Sequence, residues 1–183
     1  MRDELIDAAT RRIQHVGVNG FSYGDIAKEL GIKAPSIHHH FPTKEDLVAA
    51  VAADYRARFS AMVDAIPEGT ALDRIRAYAE MFTATAATDS LCLCGAVSAE
   101  WLTVGDKARA EVNDFFTSQQ AWLQEQLANG VRDGEISLAL PIPAVAATLF
   151  ASLQGSLLLS RAGGPSDLPT HSGDVIASLL VAA

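Results

Sequence analysis

Residues 22–47 of this 183-residue chain read SYGDIAKELGIKAPSIHHHFPTKEDL. Ser22 is followed three positions later by Asp25, and Thr43 is followed three positions later by Asp46, which is the spacing of residues that cap a helix N-terminus. Gly31 lies between the two starts, where a helix ends and the chain turns. The pattern predicts two short helices joined by a tight turn, the arrangement called helix-turn-helix.

The residues around the turn favour a compact three-helix unit. Ala27 is small enough for close approach of the two helices, and Pro35 fits the first turn of the second one. An apolar stripe in the preceding segment predicts a further helix that Gly17 ends. The apolar contacts of the unit are expected from Leu5, Ala9, Ile13, Val16, Phe21, Ile26, Leu30, Ile32 and Ile37.

The run GIKAPSIHHHFPTKEDLV at residues 31–48 resembles the N-terminal DNA-binding domain of the tetracycline-repressor (TetR) family of transcription regulators. That domain has a turn glycine, a recognition helix that ends in an aromatic-aromatic-His-Phe cluster, and a Ser/Thr-Lys-acidic-acidic-Leu start to the next helix. The resemblance spans roughly residues 2–50. It implies a ligand-responsive transcription regulator, most often a repressor, that binds palindromic operator DNA as a homodimer, is released by a small-molecule effector and is not an enzyme.

The resemblance and the geometry of a helix in the major groove together predict which residues meet DNA. His40 and Phe41 are expected to pack inward. His38 stands where the family usually has Tyr, so the phosphate contact of that hydroxyl comes here from an imidazole or is lost. The predicted DNA-binding residues are Ser22, Tyr23, Lys33, Ala34, Ser36, His38, His39 and Lys44.

A plainer interpretation exists for these residues. Lys33 and Lys44 are also compatible with ordinary surface charge. The three consecutive histidines do not predict a metal site, because successive residues of a helix point about 100° apart and cannot converge on one ion. The sequence predicts no metal and no cofactor.

Charge is divided unevenly along the chain. Residues 1–60 carry eight Lys and Arg against eight Asp and Glu, whereas residues 61–183 carry six against fourteen. The acidic excess therefore lies outside the DNA-binding segment and does not argue against nucleic acid. The cations available for phosphates are Arg2, Arg11, Arg12, Lys28, Lys33 and Lys44.

Helical periodicity continues to the end of the chain and predicts an all-α fold of about nine helices. A long helix is expected to start at Thr43 and to carry Leu47, Val51, Tyr55, Phe59, Met62 and Ile66 on one face. The later helices are expected at about 70–88, 91–104, 106–132, 141–162 and 168–182. The predicted domains are a helix-turn-helix DNA-binding domain at 1–46 and a helical effector-binding and dimerisation domain at 47–183.

The last two helices are the predicted dimer interface, with packing inside one chain as the alternative. Small residues follow one face of the penultimate helix, which allows close approach of a second helix. These residues are Ala144, Ala147, Ala151, Gly155 and Leu158; the last helix carries Val175, Ile176, Leu179 and Leu180.

Aromatic and soft residues of the C-terminal part favour an apolar effector pocket lined by a subset of them, although core packing is the favoured interpretation for any single one. They are Met81, Phe82, Thr85, Trp101, Phe115, Phe116, Trp122, Phe150 and Gln154. No apolar stretch is expected to reach the about 20 residues of a membrane span. Because no signal peptide is visible either, we expect a cytoplasmic protein.

Cys92 and Cys94 carry the most unusual chemistry outside the DNA-binding segment. If Ser90 caps a helix here, the helix dipole lowers the pKa of both thiols and favours the reactive thiolate. The segment LCLCGAVSAEW also resembles the Cys-containing helix start of one branch of the family, and this resemblance implies a sensor of electrophiles or oxidants. Packing as small apolar residues is the alternative. A thiol enzyme is a further alternative, as is a helical interaction module that no longer reads DNA.

Overall fold

The computed structural model describes residues 1–180, apart from the side chain of Leu179. Across these residues the secondary structure consists of helices and turns, and no extended β-strand is present. The predicted all-α fold is confirmed. The helices are α1 (Arg2–Val16), α2 (Tyr23–Leu30), α3 (Ala34–His40), α4 (Lys44–Asp64), α5 (Ala71–Ala86), α6 (Leu93–Ala99), α7 (Asp106–Arg132), α8 (Ile142–Arg161) and α9 (Leu168–Leu180), with a 3-10 turn at Trp101–Thr103.

The chain forms two compact units. The first unit combines residues 1–61 with residues 92–115, and the second combines residues 62–91 with residues 116–183. The long helices α4 and α7 contribute to both units. The α6–α7 region therefore belongs to the same unit as the helix-turn-helix, although about 30 residues of the other unit separate the two segments in sequence.

The core of the first unit contains most of the predicted apolar residues. Leu5, Ile13, Ile26 and Ile37 are fully buried, and Phe21 is 5% exposed. Val16, predicted for the same stripe, is 54% exposed, because Gly17 ends α1 directly after it. In α4 the predicted Met62 is likewise exposed and Val63 is buried instead, since 3.6 residues per turn carry the inner face forward along a long helix.

Two predictions about the later helices are wrong. The segment at 91–104 is not one helix: α6 ends at Ala99, and a 3-10 turn follows. Ser90 does not cap α6, because Cys92 occupies the N-cap position, and the Cys92 side chain forms no capping hydrogen bond. Helix α7, at Asp106–Arg132, has the predicted limits. Of the last predicted helix, residues 181–182 lie outside the described part of the chain.

Helix α8 is long and apolar enough to cross a membrane by length and composition. It has 20 residues, and about one third of its apolar run is buried. The expectation that no segment approaches this length is thus wrong, because Thr148, Ser152 and Ser156 interrupt the apolar run only weakly. A single such helix is weak evidence for a membrane span, since packed helices of proteins outside membranes can have the same length and apolar composition.

Candidate nucleic-acid interface

Helix α2 begins and ends as the sequence predicts. The Ser22 hydroxyl accepts a hydrogen bond from the Asp25 backbone N–H, and the Asp25 carboxylate accepts one at 2.8 Å from the Ser22 backbone N–H. The hydrogen bonds from Ser22 lower the pKa of Asp25. Gly31 adopts the left-handed conformation with φ of 66°, and the Ile32 N–H donates to the Ala27 carbonyl at 3.0 Å. The reciprocal cap and the turn glycine set the direction in which α3 leaves α2.

Helix α3 is short, and one of its faces packs against the rest of the first unit. Ile37 is completely buried, whereas Lys33 at the N-cap position and His39 are exposed, and Ala34 and Ser36 are half-buried. The His39 ring contacts the edge of the half-buried His40 ring, with 5.4 Å between centroids. The residues predicted to face bases therefore retain accessible surface in the first unit.

His38 and Tyr23 are joined in a network that sequence reasoning missed. The His38 ring meets the Tyr23 ring edge-on, with 4.8 Å between centroids, and Nδ1 of His38 lies 3.2 Å from the Pro42 carbonyl oxygen. The Tyr23 hydroxyl lies 2.6 Å from the Thr43 carbonyl oxygen and 2.9 Å from that of Phe41. Burial, with a contribution from the Asp46 charge, raises the pKa of Tyr23 to about 12. Tyr23 thus ties the start of α2 to the α3–α4 turn.

Helix α4 starts directly after Thr43. The Thr43 hydroxyl accepts from the Asp46 backbone N–H at 3.1 Å and donates to the Asp46 carboxylate at 2.7 Å, so the predicted second cap is present. The Lys44 ammonium donates to the Phe21 carbonyl oxygen and lies 4.2 Å from the centroid of the Phe21 ring. Burial lowers the pKa of Lys44. Lys44 therefore has a role inside the protein in addition to its predicted role at a phosphate.

Three of the other cations predicted for phosphates are engaged by the protein itself. Arg11 and Arg12 both bind the Glu29 carboxylate, at 2.8 and 2.9 Å, and so join α1 to α2. The Arg2 guanidinium lies over the Phe41 ring. Lys28 and Lys33 are exposed and form no ion pair with the residues that the structure describes. Local sequence gives no sign of this difference, because it depends on contacts across 17 or more positions.

The predicted effector residues are distributed over both units. Trp101 and Phe115 belong to the first unit, and the other seven belong to the second. Within the second unit the Phe150 ring contacts Phe82 and Phe116, at 6.3 and 5.7 Å between centroids. Trp122 stacks on Tyr78, which contacts Phe82 in turn. The second unit thus brings together an aromatic cluster, defined here as Tyr78, Phe82, Phe116, Trp122 and Phe150.

The remaining predicted pocket residues are Met81, Thr85 and Gln154. Met81 and Thr85 are half-buried on α5, where the Thr85 hydroxyl donates to the Met81 carbonyl at 3.0 Å. Gln154 lies one helical turn after Phe150 on α8, and its buried Nε2 has no hydrogen-bond partner among the described residues. An unsatisfied amide beside aromatic rings is compatible with a polar anchor in an apolar pocket.

The two cysteines are free thiols in the core of the first unit. Cys92 and Cys94 are 2% and 0% exposed. The Tyr55 hydroxyl lies 3.7 Å from the Cys92 sulfur. Burial raises the pKa of Cys94 far above its usual range, opposite to the expected effect of a helix N-terminus. The structure therefore does not support a reactive thiolate at Cys94, because burial disfavours its charged form. In the described part of the chain, no group of three metal-ligating side chains is close enough to hold an ion.

Two sequence families match this chain over most of its length. The profile of bacterial regulatory proteins of the tetR family matches residues 5–51, and that of the tetracyclin repressor-like C-terminal domain matches residues 71–173. The HTH-type transcriptional regulator BetI of Agrobacterium fabrum is 43% identical over 47 residues, which cover 26% of this chain and 23% of that protein. The Escherichia coli tetracycline repressor protein class D is 33% identical over 57 residues, or 31% of this chain and 26% of that protein. The matched segments thus span about a quarter of these relatives.

Solved structures match over nearly the whole chain. A TetR-family regulator from Agrobacterium tumefaciens superposes with a TM-score of 0.95 at 29% identity, covering 99% of this chain and 97% of that one. A TetR regulator from Legionella pneumophila gives 0.88 at 25% identity, covering 98% and 97%. Both profile matches, and the fold that these structures share with it, place this chain in a single family: it belongs to the TetR family of bacterial regulatory proteins and is a transcription regulator.

Proposed function

We propose that this chain is a ligand-responsive repressor that binds palindromic operator DNA as a homodimer in the cytoplasm and is released by a small-molecule effector. The observation that carries the proposal is the exposure of Lys33, the N-cap of α3, and of His39 on α3, while the fully buried Ile37 packs the opposite face of this helix into the first unit. The sign of regulation is taken from the relatives named tetracycline repressors. We assign no catalytic role to any residue.

In the proposed complex α3 lies in the major groove. Lys33 donates to guanine acceptors, Ala34 contacts a thymine methyl group, and Ser36 and His39 meet base edges. The phosphate contacts come from the ends of the neighbouring helices, where backbone amides and short polar side chains meet the DNA backbone. These contacts are assigned to Ser22, Tyr23, His38 and Lys44.

A second copy of the chain is proposed to cover the outer faces of α8 and α9. Ala144, Ala147 and Ala151 are exposed at spacings of three and four residues, and Leu158 continues the exposed apolar face at 60% exposure. On α9, Val175 is 59% exposed, whereas Leu180 is buried within its own chain. Such an apolar face is unusual for a monomer and typical of an interface between copies.

The effector is proposed to bind in the domain at 47–183, with the aromatic cluster of the second unit as the apolar wall. Gln154 would donate a hydrogen bond to a polar group of the effector, because its buried Nε2 has no partner among the described residues. Release requires that the effector bind the DNA-free conformation more tightly than the DNA-bound one. The domain at 1–46 would carry the DNA contacts.

Selection from a random DNA library with the purified full chain tests the proposal. We expect enrichment of an inverted repeat whose half-sites face one side of the duplex, about one helical turn apart. Affinity for the selected duplex should fall steeply with salt. Absence of any enriched sequence, with retained secondary structure by circular dichroism, would refute the DNA-binding function.

A further inference from the structure

The turn between α6 and α7 (Glu100–Gly105) is stabilised by hydrogen bonds within the turn and from α7. The Thr103 backbone N–H and hydroxyl both donate to the Glu100 carbonyl oxygen, at 2.9 and 3.0 Å. Arg109 of α7 donates to the Trp101 carbonyl at 2.8 Å and lies over the Trp101 ring. These bonds join the turn to α7, so the turn is expected to move as one body with the start of that helix.

This turn holds the loop that precedes α2. The Glu100 carboxylate accepts a hydrogen bond from the Asn19 backbone N–H at 2.8 Å, and the Asn19 amide donates to the Thr103 hydroxyl at 2.8 Å. Gly17 has φ of 78°, and a Cβ there would lie 2.0 Å from the Glu100 carboxylate oxygen. Glycine at position 17 therefore allows the carboxylate to approach the backbone.

The same region holds the beginning of α4. Lys107 forms an ion pair at 2.8 Å with Asp46, the residue that caps α4 together with Thr43. Gly105 packs against the Glu45 side chain so closely that a Cβ there would overlap it. The segment that contains every predicted DNA contact, residues 22–44, is thus held on both sides, at Asn19 and at Asp46.

We propose that Glu100 is a positioning residue for DNA binding: through its hydrogen bond to Asn19 it helps to set the orientation of α2 and α3, and so contributes to DNA affinity. This inference rests on the proposed DNA-binding function. Glu100 needs no contact with DNA for this role. Its effect comes from a preformed orientation of α2 and α3, which removes the cost of ordering them on DNA.

The matched pair for the test is Glu100→Ala and Glu111→Ala. Glu111 forms another carboxylate link of the first unit, to Arg56 at 2.8 Å, and does not touch the loop at 17–20 or the start of α4. Affinity is measured with a duplex that the wild-type protein selects from a random library, and thermal unfolding is measured in parallel. Glu100→Ala should weaken binding of this duplex roughly tenfold, whereas Glu111→Ala should change stability without that loss.

Two further variants keep the inference testable if Glu100→Ala does not fold. Glu100→Gln retains an oxygen acceptor for the Asn19 N–H and should restore most of the affinity. Thr103→Val removes the acceptor of the Asn19 side chain with little change in shape, and should produce a partial loss. Hydrogen exchange at the Asn19 amide should accelerate in Glu100→Ala and not in Glu111→Ala.

The possible outcomes distinguish a failure of the positioning role of Glu100 from a failure of the proposed DNA-binding function. If the wild-type protein binds its selected duplex and Glu100→Ala and Thr103→Val bind it equally well, the positioning role is wrong and the DNA-binding function stands. Equal losses in Glu100→Ala and Glu111→Ala would also overturn it, since they would reflect stability alone. If the wild-type protein selects no DNA, the proposed function fails, and the positioning role fails with it.

Discussion

Nδ1 of His38 lies 3.2 Å from the carbonyl oxygen of Pro42. A carbonyl oxygen only accepts, so Nδ1 carries the proton of this bond in the neutral ring, and Nε2 is then an acceptor without a proton. A phosphate also only accepts. Neutral His38 therefore cannot donate to a phosphate through Nε2, whereas the imidazolium form has a second N–H and a positive charge.

His38→Phe is accordingly expected to weaken binding of the selected duplex, because phenylalanine keeps a ring beside Tyr23 but cannot donate to a phosphate. His38→Gln should retain more of the affinity, since its amide group donates in every protonation state. Affinity for the selected duplex at constant pH and ionic strength checks this prediction, with His171→Gln, on α9 of the second unit, as the control. An affinity of His38→Phe equal to that of the wild type would contradict the role given to His38.

Lys33→Ala is expected to weaken binding to the selected duplex without lowering stability. Lys33 is exposed and forms no ion pair within the described part of the chain, so its removal should change the free energy of unfolding by less than about 0.5 kcal/mol. Loss of a base contact should cost about 1–3 kcal/mol and relax preference at one base pair. Competition binding with single-base variants of the duplex provides the measurement. Lys28→Ala, which removes an exposed lysine of α2, is the matched control and should leave base preference unchanged.

Lys44→Ala is expected to behave differently from Lys33→Ala. Its ammonium donates to the Phe21 carbonyl and contacts the Phe21 ring, so the substitution should lower the melting temperature as well as DNA affinity. The affinity loss should be similar for the selected and for random DNA, with a decrease in the salt slope of about one. A salt titration on both duplexes, beside a thermal melt, checks both effects. An unchanged melting temperature would show that the Phe21 contact contributes little to stability.

Lys33 is exposed whereas Lys44 contacts Phe21, and the sequence alone did not predict this difference. The caps at Ser22 and Thr43 and the turn at Gly31 were predictable, because each depends on residues within three or four positions. The hydrogen bond between Asn19 and Glu100 joins residues 81 positions apart, and no periodicity indicates it. For the same reason the end of α6 at Ala99 was missed: the apolar pattern continues to Val104, while the chain bends where Glu100 meets the α1–α2 loop.

Glu29→Gln is expected to destabilise the first unit in a pH-dependent way. Arg11 and Arg12 both bind this carboxylate, and the hydrogen bond from Arg11, followed by that from Arg12, lowers the pKa of Glu29. A lowered pKa contributes stability above the ordinary Glu value of about 4.3, and this contribution is lost as the pH falls below it. Because the pairs are partly exposed, the loss at pH 7 should be about 0.5–1 kcal/mol.

Urea unfolding of the wild type and Glu29→Gln at pH 7 and pH 3.5 measures this difference. The two proteins should differ more at pH 7 than at pH 3.5, because the contribution of the carboxylate is lost as the pH falls through its lowered pKa. Glu68→Gln is the control, because the Glu68 side chain is 96% exposed although it pairs with Arg74. An equal difference between wild type and Glu29→Gln at both pH values would show that packing, and not charge, is responsible.

Ala151→Glu is expected to separate the proposed dimer. Ala151 is exposed on the α8 face assigned to the interface, and a second copy packed on this face would bury the new carboxylate without a partner. The variant should sediment as a monomer at concentrations where the wild type is a dimer, and it should lose affinity for a two-half-site duplex while retaining weak binding to one half-site. Ala84→Glu, at an exposed position of α5, is the matched control and should remain dimeric. A dimeric Ala151→Glu would place the interface elsewhere than on this face of α8.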